Sequence, residues 1–191
     1  MDRRAALRLL SASAAAVAIP DDLTDLGRAL HARLGAGATR RVLDRHQDEA
    51  VVALSDLILP ATDTPGAKAA RVNEFIDLLL AEWCEAPECD QFQAGLAMVD
   101  ERARAAFGKD FVAGTVAEQT ALLTALDDEA ARWGASPTAT RGPEPFYRRL
   151  KWLTLFGYFT SEIGAEQEQH FRIIPGRYVP CAPADTLAGS E

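Results

Sequence analysis

Val72-Asn73-Glu74-Phe75-Ile76-Asp77-Leu78-Leu79-Leu80-Ala81-Glu82-Trp83 is the stretch on which the fold turns. Its residues Val72, Phe75, Ile76, Leu79, Leu80 and Trp83 fall at i, i+3, i+4, i+7, i+8 and i+11, one apolar stripe on a 3.6-residue helix. Asn73 reads as the N-cap, with Glu74 and Asp77 near the positive end of the helix dipole.

The helical reading continues in both directions. Upstream, Val51, Leu54, Leu57 and Ile58 line one face of a helix over 48–59, which Pro60 stops, and Ala61-Thr62-Asp63-Thr64-Pro65-Gly66 is turn-forming throughout. Residues 21–45 read as two short helices around the joint Gly35-Ala36-Gly37-Ala38. Downstream, Cys84-Glu85-Ala86-Pro87-Glu88-Cys89 interrupts the pattern, and a helix over 90–107 ends at Gly108. Thr115-Val116-Ala117-Glu118 is a capping box opening a helix that ends near Trp133-Gly134. After a Pro- and Thr-rich loop, a further helix runs from Pro145 through Phe156, with a bend expected at Gly157. From Ile173 onward Pro175, Pro180 and Pro183 make an irregular tail. No period-two alternation bounded by hairpin turns occurs. The expectation is an all-α protein: residues 19–191 as a single helical domain of about five main helices with an irregular C-terminal tail.

Composition narrows the function. The chain has 191 residues and a net charge of −8, from 20 Lys+Arg against 28 Asp+Glu. Such acidity disfavours a phosphate backbone, so no nucleic-acid partner is expected. With 48% hydrophobic residues, a disordered tail protein is excluded, and no transmembrane segment is expected. Three Cys are too few for a disulfide scaffold.

The N-terminus reads as an address. Arg3 and Arg4 form a twin arginine, followed by Leu7 and Arg8 and then a weakly apolar run to Ile19 with small-x-small sites at Ala14-Ala15-Ala16 and Ala16-Val17-Ala18. This is the layout of a twin-arginine export signal over residues 1–18. The run is too short and alanine-rich to span a hydrocarbon core of about 30 Å. The bland alternative is an amphipathic first helix with two chance arginines. Cleavage after Ala18 removes Arg3, Arg4, Arg8 and Asp2, a net +2, and takes the chain from −8 to −10. A periplasmic location follows as an expectation, and with it an environment that permits disulfides.

The search for a complete active site finds none. Gly35-Ala36-Gly37 lacks the third glycine of a dinucleotide fingerprint and follows no strand. No Cys-x-x-Cys-His for haem and no Gly-x-Ser-x-Gly elbow is present. His31, His46 and His170 are dispersed, and Asp127-Asp128 and the Glu166/Glu168 pair read as solvated helix faces. No catalytic, cofactor-binding or metal residue is assigned.

Two features remain. The run Phe146-Tyr147-Arg148-Arg149-Leu150-Lys151-Trp152-Leu153-Thr154-Leu155-Phe156-Gly157-Tyr158-Phe159 holds more apolar residues than one helix face accommodates. It is either a helix buried all round or a docking surface anchored by Tyr147, Trp152, Phe156, Tyr158 and Phe159. Cys84 and Cys89 flank a Pro-containing loop that a local disulfide would close; Cys181 is an alternative partner, and a fully reduced set is the third possibility.

Several stretches resemble one family. Leu54-Ser55-Asp56-Leu57-Ile58-Leu59-Pro60-Ala61-Thr62-Asp63-Thr64-Pro65-Gly66-Ala67 is similar to the "IIP-x-TDTPGA" signature of the gluconate 2-dehydrogenase small-subunit (subunit 3) family. Asn73-Glu74-Phe75-Ile76-Asp77 resembles its "PEFID", with Asn73 in place of the usual proline, and Gly157-Tyr158-Phe159-Thr160-Ser161-Glu162-Ile163-Gly164-Ala165 resembles "GYFTSE-x-GA". Pro175-Gly176-Arg177-Tyr178 with Cys181 is similar to the C-terminal "PGRY…C", and Arg177 and Tyr178 join the suspected interface set. The resemblance implies a non-catalytic small subunit of a periplasmic flavin-dependent sugar or sugar-acid dehydrogenase. FAD would sit in a large subunit of the glucose–methanol–choline (GMC) type, a cytochrome c often accepts the electrons, and the small subunit would carry the folded flavoprotein through export. Two other readings compete: an independent periplasmic enzyme, and a docking module without a redox partner. Pro60, Asp63, Thr64, Pro65 and Gly66 are expected to build a rigid corner, with Asp63 and Thr64 bonding backbone amides, Pro65 fixing φ and Gly66 supplying a conformation that other residues resist.

Overall fold

The computed structural model describes residues 21–37, 42–136 and 142–169. Among them are six α-helices and no strand: α1 Asp21–Gly35, α2 Arg45–Ile58, α3 Val72–Trp83, α4 Ala86–Phe107, α5 Val116–Ala135 and α6 Phe146–Phe159. A 3₁₀ turn, Phe111–Ala113, precedes α5, and a π turn, Gly164–Glu168, follows α6. The chain is all-α, as expected. Within 21–44 the one described helix is α1, and the export segment 1–18 and the tail from Ile173 lie outside the described residues.

Helix α3 is the centre. Helices α1, α2 and α6 pack on it, while α4 and α5 close against α6 and α2. Val72, Phe75, Ile76, Leu78 and Leu80 are each no more than 1% exposed, so α3 is buried on more than its expected stripe. Trp83 is the exception: it lies at the open end of α3 and is 62% exposed. Helix α6 runs antiparallel to α3, with Gly157 facing Phe75 at one end and Arg149 beside Cys84 at the other. A Cβ at Gly157 would sit 2.7 Å from the Phe75 ring. The glycine therefore permits close approach, and the helix continues past it to Phe159.

Three helix starts differ from the sequence reading, two of them because a capping box outranks the apolar pattern. Helix α2 begins at Arg45, where Asp44 accepts from Gln47 N at 2.8 Å and Gln47 Oε1 accepts from Asp44 N at 3.0 Å. Helix α4 begins at Ala86 and not at Asp90: Glu85 and Glu88 form a capping box, and Pro87 sits in the first turn, where its missing N–H is harmless. Asn73 is not the N-cap of α3. That place belongs to Arg71, in the left-handed region at φ 54°, while Asn73 lies in the first turn and donates from Nδ2 to Asp48 Oδ1 at 2.8 Å. A proline is tolerated at such a first-turn position, and asparagine there adds a tie between α3 and α2. Gly108, at φ 73°, closes α4, and the Thr115/Glu118 box opens α5, both as expected.

Candidate functional site

Two of the quoted stretches, about ninety residues apart in sequence, meet in space at the corner after α2. The loop leaving α2 closes on itself where Ala67 N donates to Leu59 O at 2.9 Å. Inside it Thr62 N donates to Thr64 O at 3.0 Å and Thr62 Oγ1 to Asp63 Oδ1 at 2.8 Å. The Thr62 hydroxyl, followed by backbone amides of Asp63 and Thr64, holds the Asp63 carboxyl below the usual carboxylate range. Thr64 does not use its hydroxyl on an amide: Oγ1 donates to Glu168 Oε2 at 2.6 Å, across to the π turn. Tyr158, 1% exposed at the end of α6, donates its hydroxyl to Pro65 O at 2.7 Å.

Glycines set the tolerances of this corner. Gly66 was expected to adopt a backbone conformation closed to other residues, yet its φ is not in the left-handed region. Space is what excludes a side chain, since a Cβ there would sit 2.5 Å from Ala61 N and 2.6 Å from Leu59 O. Gly164 is pressed against the Tyr158 carbonyl in the same way. Ser161 Oγ donates to Tyr158 O at 2.6 Å and accepts from Gly164 N at 3.0 Å, fixing the turn out of α6. Pro60, Asp63 and Glu162 face outward on this buried frame. Chemically, the corner holds shape and presents a polar, acidic edge.

The suspected interface side chains divide by burial. Tyr147, Phe156 and Tyr158 are core residues, 4% or less exposed, and cannot form a docking surface. Phe159 is half-buried, and Trp152 is 48% exposed. The Trp152 indole stacks on Phe156, ring centroids 4.9 Å apart, and Phe156 in turn meets Phe75 edge-on at 5.5 Å. The exposed indole is thus packed on a core ring. Arg177, Tyr178, Cys181 and His170 lie outside the described residues, as do Arg3, Arg4, Leu7 and Arg8. Cys84 and Cys89 are free thiols.

Two buried acids have roles that the sequence reading does not contain: Asp77, read there as a partner of the helix dipole, and Asp100, not singled out. Asp77, 1% exposed, accepts at Oδ1 from Val42 N at 3.0 Å and Leu43 N at 2.7 Å, tying the entry to α2 onto α3. The readable signal was an acid set among Phe75, Ile76, Leu78, Leu79 and Leu80. Asp100, 6% exposed on α4, accepts from Phe111 N at 2.9 Å through Oδ1 and from His46 Nε2 at 2.6 Å through Oδ2. His46, Asp100, Asp44 and Arg104 line a cleft of about 160 Å³. Among the described residues no group of three His, Cys, Asp or Glu side chains is arranged to hold a metal ion. No helix among them is long and apolar enough to cross a membrane.

The two described histidines act on stability with opposite signs. Hydrogen bonding to Asp100, aided by the charges of Asp100, Asp110 and Asp44, raises the His46 pKa above 6.5. Its contribution is fully present below about pH 6.5 and is lost as pH rises through the raised value. Burial lowers the pKa of His31, which stacks on Phe75 and bonds Gly157 O at 2.8 Å, so its term weakens the fold as pH falls below about 6.5. His46→Gln is therefore expected to lose more stability than the parent between about pH 7.5 and pH 5.5, measured as urea midpoints. Identical pH slopes for the two proteins would refute this assignment.

The family model described as gluconate 2-dehydrogenase subunit 3 matches residues 45–176, from the first turn of α2 to beyond the π turn. No curated protein and no solved structure matches the chain.

Proposed function

The chain belongs to the gluconate 2-dehydrogenase subunit 3 family, which makes it an accessory subunit of a dehydrogenase complex with a larger partner, and from that premise we propose its specific role. It is the non-catalytic small subunit of a periplasmic, FAD-dependent dehydrogenase of the GMC type acting on a sugar or sugar acid. It stabilises the flavoprotein subunit and takes it through the twin-arginine route as folded cargo; a cytochrome c is the onward electron acceptor. FAD belongs to the partner.

The observation that carries this reading is the family match over 45–176. The corner supports it, because the stretches that resemble the family signatures are spent on a rigid frame: Gly66 and Gly164 on close packing, Tyr158 and Thr64 on cross-links, Asp77 on backbone amides. A frame of this kind suits a subunit whose product is a shape. Trp152, stacked on the core and exposed, is the side chain best placed to anchor the partner.

Export supplies the test. Arg3→Lys with Arg4→Lys is expected to retain both this chain and the flavoprotein in the cytoplasm, read as the periplasmic fraction of flavin-dependent dye reduction. Normal export of the flavoprotein beside the double variant would overturn the co-export role.

A further inference from the structure

Cys84 and Cys89 occupy the two positions that flank a capping box. With Glu85 as the N-cap of α4, Cys84 is the residue before the cap and Cys89 the fourth residue of the helix. Side chains at these positions pack on one another when apolar and fix the angle at which the chain enters the helix. The box is in place, with Glu85 N donating to Glu88 Oε2 at 3.4 Å, and the helix starts with Cys89 N donating to Glu85 O at 3.1 Å. In this chain both staple positions carry thiols. Cys89 Sγ donates to Leu80 O at 3.2 Å and lies 4.0 Å from Cys84 O, and both residues are half-buried, within reach of a small reagent.

We infer that Cys84 and Cys89 form a dithiol site that a disulfide-bearing oxidant closes to a local bridge. One cysteine thiolate attacks a sulfur of the oxidant's disulfide, forming a mixed disulfide and releasing one thiol. The second cysteine's thiolate then attacks its neighbour's sulfur in that mixed disulfide and expels the other thiol. The oxidant takes up two electrons and the two protons that the cysteines give up. Burial holds the Cys84 thiol above its usual pKa, against the opposing charge of Arg149.

Closure has a direction of effect. Arg149 Nη2 lies 3.7 Å from Cys84 Sγ and 3.6 Å from Glu88 Oε2, on the helix that carries Trp152 three residues later. Closure turns the sulfur that Arg149 faces from a thiol into a disulfide sulfur, which can only accept, so the redox state of the pair is felt at Arg149 on α6. The site does not depend on the subunit reading.

The test uses the full chain, reduced and then incubated with oxidised glutathione, alkylated and weighed intact. The expected product is lighter by about 2 Da before alkylation and takes up one alkyl group on its three cysteines. Cleavage after Glu85 and Glu88 should leave the Cys84 and Cys89 fragments joined until a reductant is added. Cys181→Ser should behave as the parent does, and Cys84→Ser should trap glutathione on Cys89. The inference is overturned if all three thiols alkylate, if the mapped bridge contains Cys181, or if glutathione adds to both cysteines without a bridge. Closure seen only in urea, with no bridge in the helical, folded chain, would also overturn it.

Discussion

Gly66→Ala is expected to lower the unfolding midpoint by roughly 10 °C. The added carbon would meet Ala61 N at 2.5 Å, Leu59 O at 2.6 Å and Pro60 C at 2.7 Å, all of them backbone atoms that no side-chain rotation can clear. Relief requires the loop to open at the Ala67 N to Leu59 O bond, which shifts Pro65 away from the Tyr158 hydroxyl. Overpacking of this kind costs about 3 kcal/mol, and in a chain of this length each kcal/mol moves the midpoint by about 2–4 °C. Gly35→Ala is the control, since nothing lies within 4 Å of a Cβ there. Calorimetry on both variants decides the matter, and equal midpoints would show that the corner is not rigid.

Removing the Asp77 carboxylate should be almost as damaging. Asp77→Ala leaves the amides of Val42 and Leu43 without their shared acceptor in a site that is 1% exposed. Losing charge-assisted bonds and stranding two donors costs about 3 kcal/mol. Asp77→Asn keeps an acceptor oxygen and should retain part of that stability. Urea midpoints for the two variants measure the difference; an alanine variant within about 0.5 kcal/mol of the parent would contradict the role assigned to the carboxylate.

Helices were legible where apolar period and cap agreed. The Thr115/Glu118 box and Gly108 mark their ends by residue type alone, and the α3 stripe is readable without any partner in view. The start of α4 was not legible, because Cys84-Glu85-Ala86-Pro87-Glu88-Cys89 reads as a loop by residue type, while Glu85 and Glu88 cap a helix that begins inside it at Ala86. The aromatic run of α6 was readable as too apolar for one face. Which rings face inward depends on α3, through Phe75 against Gly157, and no local pattern contains that. Asp77 and Asp100 were hidden for the same reason: their partners, Val42, Leu43 and His46, are remote in sequence and become neighbours only when helices pack. The corner was readable as a turn, but its tie to Tyr158 and Glu168 is a tertiary fact.

What decides the role of this polypeptide is the state of its large partner when the two are made together and apart. Purified from cells that also make this chain, the flavoprotein should be soluble, yellow and loaded with FAD in near-stoichiometric amount, while the small chain alone should be colourless and inert toward sugars with a dye acceptor. Equal flavin loading of the large subunit in its absence, or sugar oxidation by the isolated small chain, would contradict the account.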